Sequence, residues 1–143
     1  MRKLTILICL FFLLCSSAVS QAEEPDPETW TEGTRGKNGT VSYLYTPDLL
    51  KTYTVYRMHR GYKIVNVWGL FILPDGTKFK SKDQYYLNPN NKQIRSTQGI
   101  GYDKNGSVLK NSSWSDSSAN WVGIVPESIN DYNCDIVNMY ANP

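Results

Sequence analysis

The chain has 143 residues, with 15 Lys and Arg against 13 Asp and Glu, a formal charge of +2. That length suits one domain with a single modest core. Arg2 and Lys3 belong to the leader described next, so the remainder is formally neutral and lacks the basic excess that a general attraction to nucleic acid needs.

The amino terminus has the three parts of a secretory signal. Arg2 and Lys3 are the positive region, Ile6 to Leu14 the apolar region, and Ala18-Val19-Ser20 the small residues before a cleavage site after Ser20. The apolar run falls short of the about 20 residues that a membrane-spanning helix needs. Residues 1–20 are therefore expected to be removed, leaving an exported protein with no membrane span in its mature form. Its place would be the periplasm, the cell surface or the medium. Cys15 does not suit a lipid anchor, because the large Leu14 precedes it. Cys9 and Cys15 leave with the signal, so Cys134 alone remains and no internal disulfide can close. An unpaired thiol in that setting is either half-buried without a role or open to oxidation and to pairing between chains.

Residues 21–28, polar, acidic and bearing two prolines, read as a flexible leader to a single domain over 29–143. Period-two patterns then dominate. Thr40 to Tyr45 predicts a strand, Thr46-Pro47-Asp48 a turn, and Thr52 to Met58 a second strand. Tyr62 to Leu73 is apolar on both faces, with Ile64, Trp68, Leu70 and Ile72 on one and Val65, Val67, Phe71 and Leu73 on the other. Such a strand belongs in the middle of a sheet with cover on each side.

After the turn at Pro74-Asp75-Gly76-Thr77, the strand from Thr77 to Asn88 alternates. Phe79, Tyr85 and Leu87 should face the core, and Lys78, Lys80 and Lys82 the other way. Gln93 to Tyr102 and Ser107 to Trp114 form a hairpin across Asp103-Lys104-Asn105-Gly106, since Asn-Gly tolerates positive φ. Beyond Pro126 the period changes. Ile129, Tyr132, Ile136 and Tyr140, with Val137 beside them, make a helical stripe, and Ser128 with Asp131 resembles a capping box. The expected fold is α+β: an antiparallel meander of about five or six strands packed against a carboxyl-terminal helix.

Few residues suggest chemistry. His59, the only histidine, is expected at a strand end, as a solvent-exposed loop residue whose charged form the flanking Arg57 and Arg60 would disfavour. One histidine and one cysteine cannot build a usual zinc site, and no phosphate loop, nucleophile elbow or framed carboxylate pair occurs. The reading is a protein without enzymatic activity, cofactor or metal. Lys78, Lys80 and Lys82 would form a positive row about 13 Å long from the strand rise. That row suits an anionic glycan, a lipid head group or an acidic protein patch. A plain solvated face, or a sheet edge guarded by lysines, is the simpler account.

The order of Trp30, Tyr43-x-Tyr45, Val67-Trp68, Ile94-Arg95-Ser96, Tyr102-Asp103-Lys104-Asn105-Gly106 and Trp121-x-x-Ile124-x-Pro126-x-Ser128 resembles the bacterial surface-adhesin protein E-like family. The resemblance runs from about Trp30 to the carboxyl end. It implies a curved antiparallel sheet on a carboxyl-terminal helix, a small exported protein of a diderm bacterium, and for the named member type the binding of host extracellular proteins. In that family a strand cysteine and a helix cysteine can form a bridge. Here the strand partner is missing, so the helix would dock by packing alone. The expected function is an exported binding protein, an adhesin contacting host proteins or glycans through the lysine row with Arg57 and Arg60. The alternative is a periplasmic inhibitor or accessory protein that uses a loop such as Arg57 to Tyr62. The oligomeric state stays open, a dimer included.

Overall fold

The structure is a computed structural model that describes residues 25–113 and 120–142. The signal-peptide reading, and Trp114 at the end of the last hairpin, lie outside the described residues. The described residues form eight strands: β1 (Trp30–Arg35), β2 (Val41–Tyr45), β3 (Arg57–His59), β4 (Tyr62–Ile72), β5 (Lys78–Tyr86), β6 (Gln93–Tyr102), β7 (Val108–Ser113) and β8 (Val122–Gly123). Among the described residues two helices accompany them, α1 (Thr46–Lys51) and α2 (Ile129–Ala141).

All pairings are antiparallel and the main path runs β1-β2-β4-β5-β6-β7, with short β3 on β4 and short β8 on β6. The α+β meander expected from the periodicity is therefore the fold. β4, apolar on both faces, lies inside the sheet between β2 and β5. Its two faces part as the alternation requires. Val65 and Val67 meet Leu44 of β2, Tyr85 of β5, Leu49 of α1, and Cys134 and Val137 of α2 in one buried cluster. This is the helix face; the side that carries the lysines is the open face.

The amino-terminal part differs from expectation. Thr46-Pro47-Asp48 opens α1 instead of a turn, because Pro47 at the helix start gives up an N–H that would have no partner there. The segment from Thr52 to Tyr56 is not a strand; only Arg57–His59 pairs. Both changes have one cause. β2 covers β4 from Gly69 to Ile72 and β3 covers it from Tyr62 to Ile64, leaving a gap on that edge. α1 fills the gap, and an Asp48 carboxylate oxygen accepts the Trp68 N–H at 2.9 Å. Strands β1 and β8 were not anticipated. β1 is mixed in composition, and β8 is only two residues long.

α2 starts where Ser128 predicted: the Ser128 Oγ accepts the Asp131 N–H at 3.3 Å. The reciprocal arm of the box goes one residue further out, from the Glu127 N–H to Asp131 Oδ2 at 2.9 Å. The buried stripe is rotated from the expected one. Asn133, Cys134, Val137 and Ala141 are buried, Ile136 and Tyr140 flank them, and Tyr132 faces solvent. The small side chains on that stripe let α2 lie close to β1, where Gly33 leaves room for Asn133 Oδ1 to accept from Ser42 Oγ at 3.0 Å. Cys134 is fully enclosed, and burial pushes its thiol up to about 11. It is a packing residue with no exposed sulfur to oxidise or to bridge another chain.

Phe79 also departs from expectation. It alternates with the lysines, yet it is 43% exposed. α2 packs over β1, β2 and α1 and does not cover the Phe79 end of β5.

Candidate functional site

β5 is paired on both sides, with β4 and β6, so its lysines do not guard a sheet edge. They do share the open face, opposite Ile72, Leu70 and Trp68 of β4. Their surroundings divide them. The Lys80 ammonium sits 5.3 Å from the Trp68 ring centre and 5.6 Å from that of Trp30, held between two indoles by cation–π attraction. Lys78, half-buried, lies across from Tyr102 near the other end of β5. Lys82 opens into a cleft.

That cleft has a volume of about 250 Å³ and is bounded by Asp48, Lys51 and Thr52 of the α1 region, Tyr56 and Arg57 before and in β3, Asn66 and Trp68 of β4, and Lys82 of β5. Lys51, Arg57 and Lys82 bring three cations to it against one carboxylate, and Asp48 is engaged with the Trp68 backbone. Trp68 and Tyr56 add aromatic surface, the latter held under the Lys63 ammonium at 4.4 Å. Cations beside flat rings can neutralise an acidic group while stacking on the body of the molecule that carries it.

Of the residues that the sequence suggested, Lys82 and Arg57 therefore meet. Lys78 and Lys80 stand along the same face outside the cleft, and Arg60 occupies the β3–β4 turn at φ 50°. Lys51 was missed. It ends a six-residue helix whose start, Thr46-Pro47-Asp48, carries a turn signal, and so short a helix has no periodic pattern to mark it.

The floor beyond the cleft is a polar–aromatic cluster. His59 ends β3 as expected, but it is half-buried and not solvent-exposed, with Nδ1 2.9 Å from the Tyr86 hydroxyl and its ring 5.3 Å from Trp121. Tyr86 stacks on Tyr62 at 5.2 Å. The Arg95 guanidinium lies 4.5 Å over Trp121, and its Nε donates to Gln84 at 2.6 Å. Burial first, then Arg60, Arg95 and Arg57, hold His59 below its ordinary 6.5, which favours a neutral imidazole at pH 7. Docked on Tyr86 and Trp121, it fixes the β3 turn against the sheet.

Among the described residues no group of three His, Cys, Asp or Glu side chains comes together as a metal site. Among them, too, no helix is long and apolar enough to cross a membrane. The chain matches no family model, no curated protein and no solved structure.

Proposed function

We propose that this chain is an exported bacterial binding protein, an adhesin of the surface-adhesin protein E-like kind, whose open face takes an anionic glycan. The observation that carries the reading is the meeting of Lys51, Arg57 and Lys82 around Trp68 and Tyr56 in one cleft. A sulfated or carboxylated sugar matches that set, its anion on the cations and its ring against the aromatic planes. Export rests on the leader at residues 1–20.

A heparin-derived tetrasaccharide is the probe. The wild-type domain should bind it, and the double variant Lys51→Glu, Lys82→Glu should bind at least about tenfold more weakly, with the thermal melt retained, because exposed charges contribute little to stability. Added salt should weaken the wild-type complex, since exposed charges are screened over about 8 Å at physiological ionic strength. Equal affinities for the two proteins would defeat the reading. Protease access on whole cells tests surface display. A second reading, an inhibitor acting through a loop, draws on the β3–β4 hairpin. That hairpin carries exposed Met58 and Tyr62 around Arg60 and Gly61. It predicts that binding to a periplasmic protein, but not to the tetrasaccharide, is lost on Met58→Ala.

A further inference from the structure

The opposite side of β5 carries a second cleft, of about 430 Å³, between the sheet and the amino-terminal end of α2. We propose that it binds a small primary amine with an apolar body, the ammonium resting on the carboxylate of Asp83. This site is independent of the cationic cleft and of any anionic ligand there.

The sheet register builds the trough. Gly69, Ser81 and Gly99 stand opposite one another across β4, β5 and β6, so three adjacent strands present almost no side chain along one row. A Cβ at Gly69 would meet Asp83 Oδ2 at 3.4 Å, and one at Gly99 would meet the Phe79 ring at 3.0 Å. The two glycines therefore let the Phe79 ring and the Asp83 carboxylate lie close against the sheet, where both line the cleft. Phe71 and Phe79 form one wall, Ile94 and Ile129 contribute further apolar lining, and Asp83 with Ser96 lies on the other side of the empty row. The volume falls in the range of small-molecule sites, and apolar walls with one placed polar group are their usual make-up.

Asp83 is the anomaly. It is 2% exposed, yet among the described residues its carboxylate meets two serine hydroxyls and no cation. Ser81 Oγ donates to Oδ2 at 2.9 Å and Ser96 Oγ to Oδ1 at 2.6 Å. An ionised carboxylate has about four acceptor sites, so two remain for a ligand. Burial raises its pKa to about 6 despite the two serines. A carboxylate so placed gains most from a cation that comes with its own apolar cover. The partial positive charge at the start of α2 does not compete. It is met by Asp131, which accepts the Glu127 N–H at 2.9 Å and pairs with Lys92 at 2.7 Å.

The test uses 2-phenylethylammonium as the probe and 2-phenylethanol as its uncharged counterpart, titrated by calorimetry at pH 7.5. The wild-type protein should bind the amine at least about tenfold more tightly than the alcohol, the ratio expected from one charge-assisted hydrogen bond in a sheltered site. Asp83→Asn should remove that preference. A measurement on the wild-type protein alone stands beside the variant. Affinity for the amine should fall about tenfold per pH unit as pH drops below about 6, where Asp83 takes up a proton while the amine stays charged. The neighbouring titratable groups are Tyr85 on the same strand, Asp131 and Lys92 at the start of α2, and His59 on the open face. Burial holds His59 below its ordinary 6.5, so it serves as the control. His59→Gln should leave the pH profile unchanged. Absent saturable amine binding, equal affinity for amine and alcohol, or a preference that survives Asp83→Asn each overturns the proposal.

Discussion

The two faces of β5 follow opposite rules although their residues alternate along one strand. On the open face, Lys78, Lys80 and Lys82 are partly exposed, and the Lys80 ammonium rests between two indole rings. On the helix face, Ser81, Asp83 and Tyr85 are buried, and there a charge must be answered by specific partners. The lesson is that the conspicuous charges and the consequential one lie on different sides. Three lysines in a row attract attention in a sequence, but each costs little to solvate. One aspartate next to the last of them, turned inward, holds its proton to a higher pH and lines a cleft.

The first way to break this comparison is to damage the helix face where it is fully apolar. Leu44 has no exposed surface and sits in the buried cluster under α2. Leu44→Ala should cost about 4 kcal/mol through lost burial and the cavity left behind. A denaturant midpoint close to wild type would show that the faces do not differ in packing.

A second prediction uses pH. With Asp83 raised from 3.8 to about 6, the folded state holds a proton that the unfolded chain has already released, so stability falls as pH rises through that window. The gap corresponds to about 3 kcal/mol, lost between about pH 4 and pH 6. Asp83→Asn should flatten this slope and leave the variant more stable than wild type at pH 7. Melts that show no pH dependence in wild type would place Asp83 in a better-solvated setting.

Smaller effects sharpen the picture. Ser128→Ala removes the cap at the start of α2 and should cost about 1 kcal/mol, read from the thermal midpoint. Phe79→Ala should cost less than about 1 kcal/mol, because the ring is 43% exposed and walls an open cleft. A large loss there would return Phe79 to the core.

Much of the fold was legible. The double apolar faces of Tyr62 to Leu73, the alternation after Gly76, the Asn105-Gly106 hairpin and the Ser128 start of α2 are local patterns, each with a local physical cause. The amino-terminal third was less so. Pro47 reads equally as a turn residue or as the first turn of a helix, and the choice falls to whatever must fill the open edge of β4.

Local patterns in the chain set the alternation of β5, the inward-facing class of residues on β4, and the place where strand periodicity gives way to helix. The two clefts arise only from the way separate elements pack. Lys51, Arg57 and Lys82 lie on three separate elements, and no spacing within the chain relates them. Asp83 reaches Ser96 because β6 slips its register by one residue after Lys82, with Gln98 opposite Lys82 and Ser96 opposite Asp83. A cross-strand partner is set by register, and register is set by the whole sheet. The burial that raises the Asp83 pKa, and the gap that α2 leaves beside Phe79, depend likewise on where the helix settles across the strands.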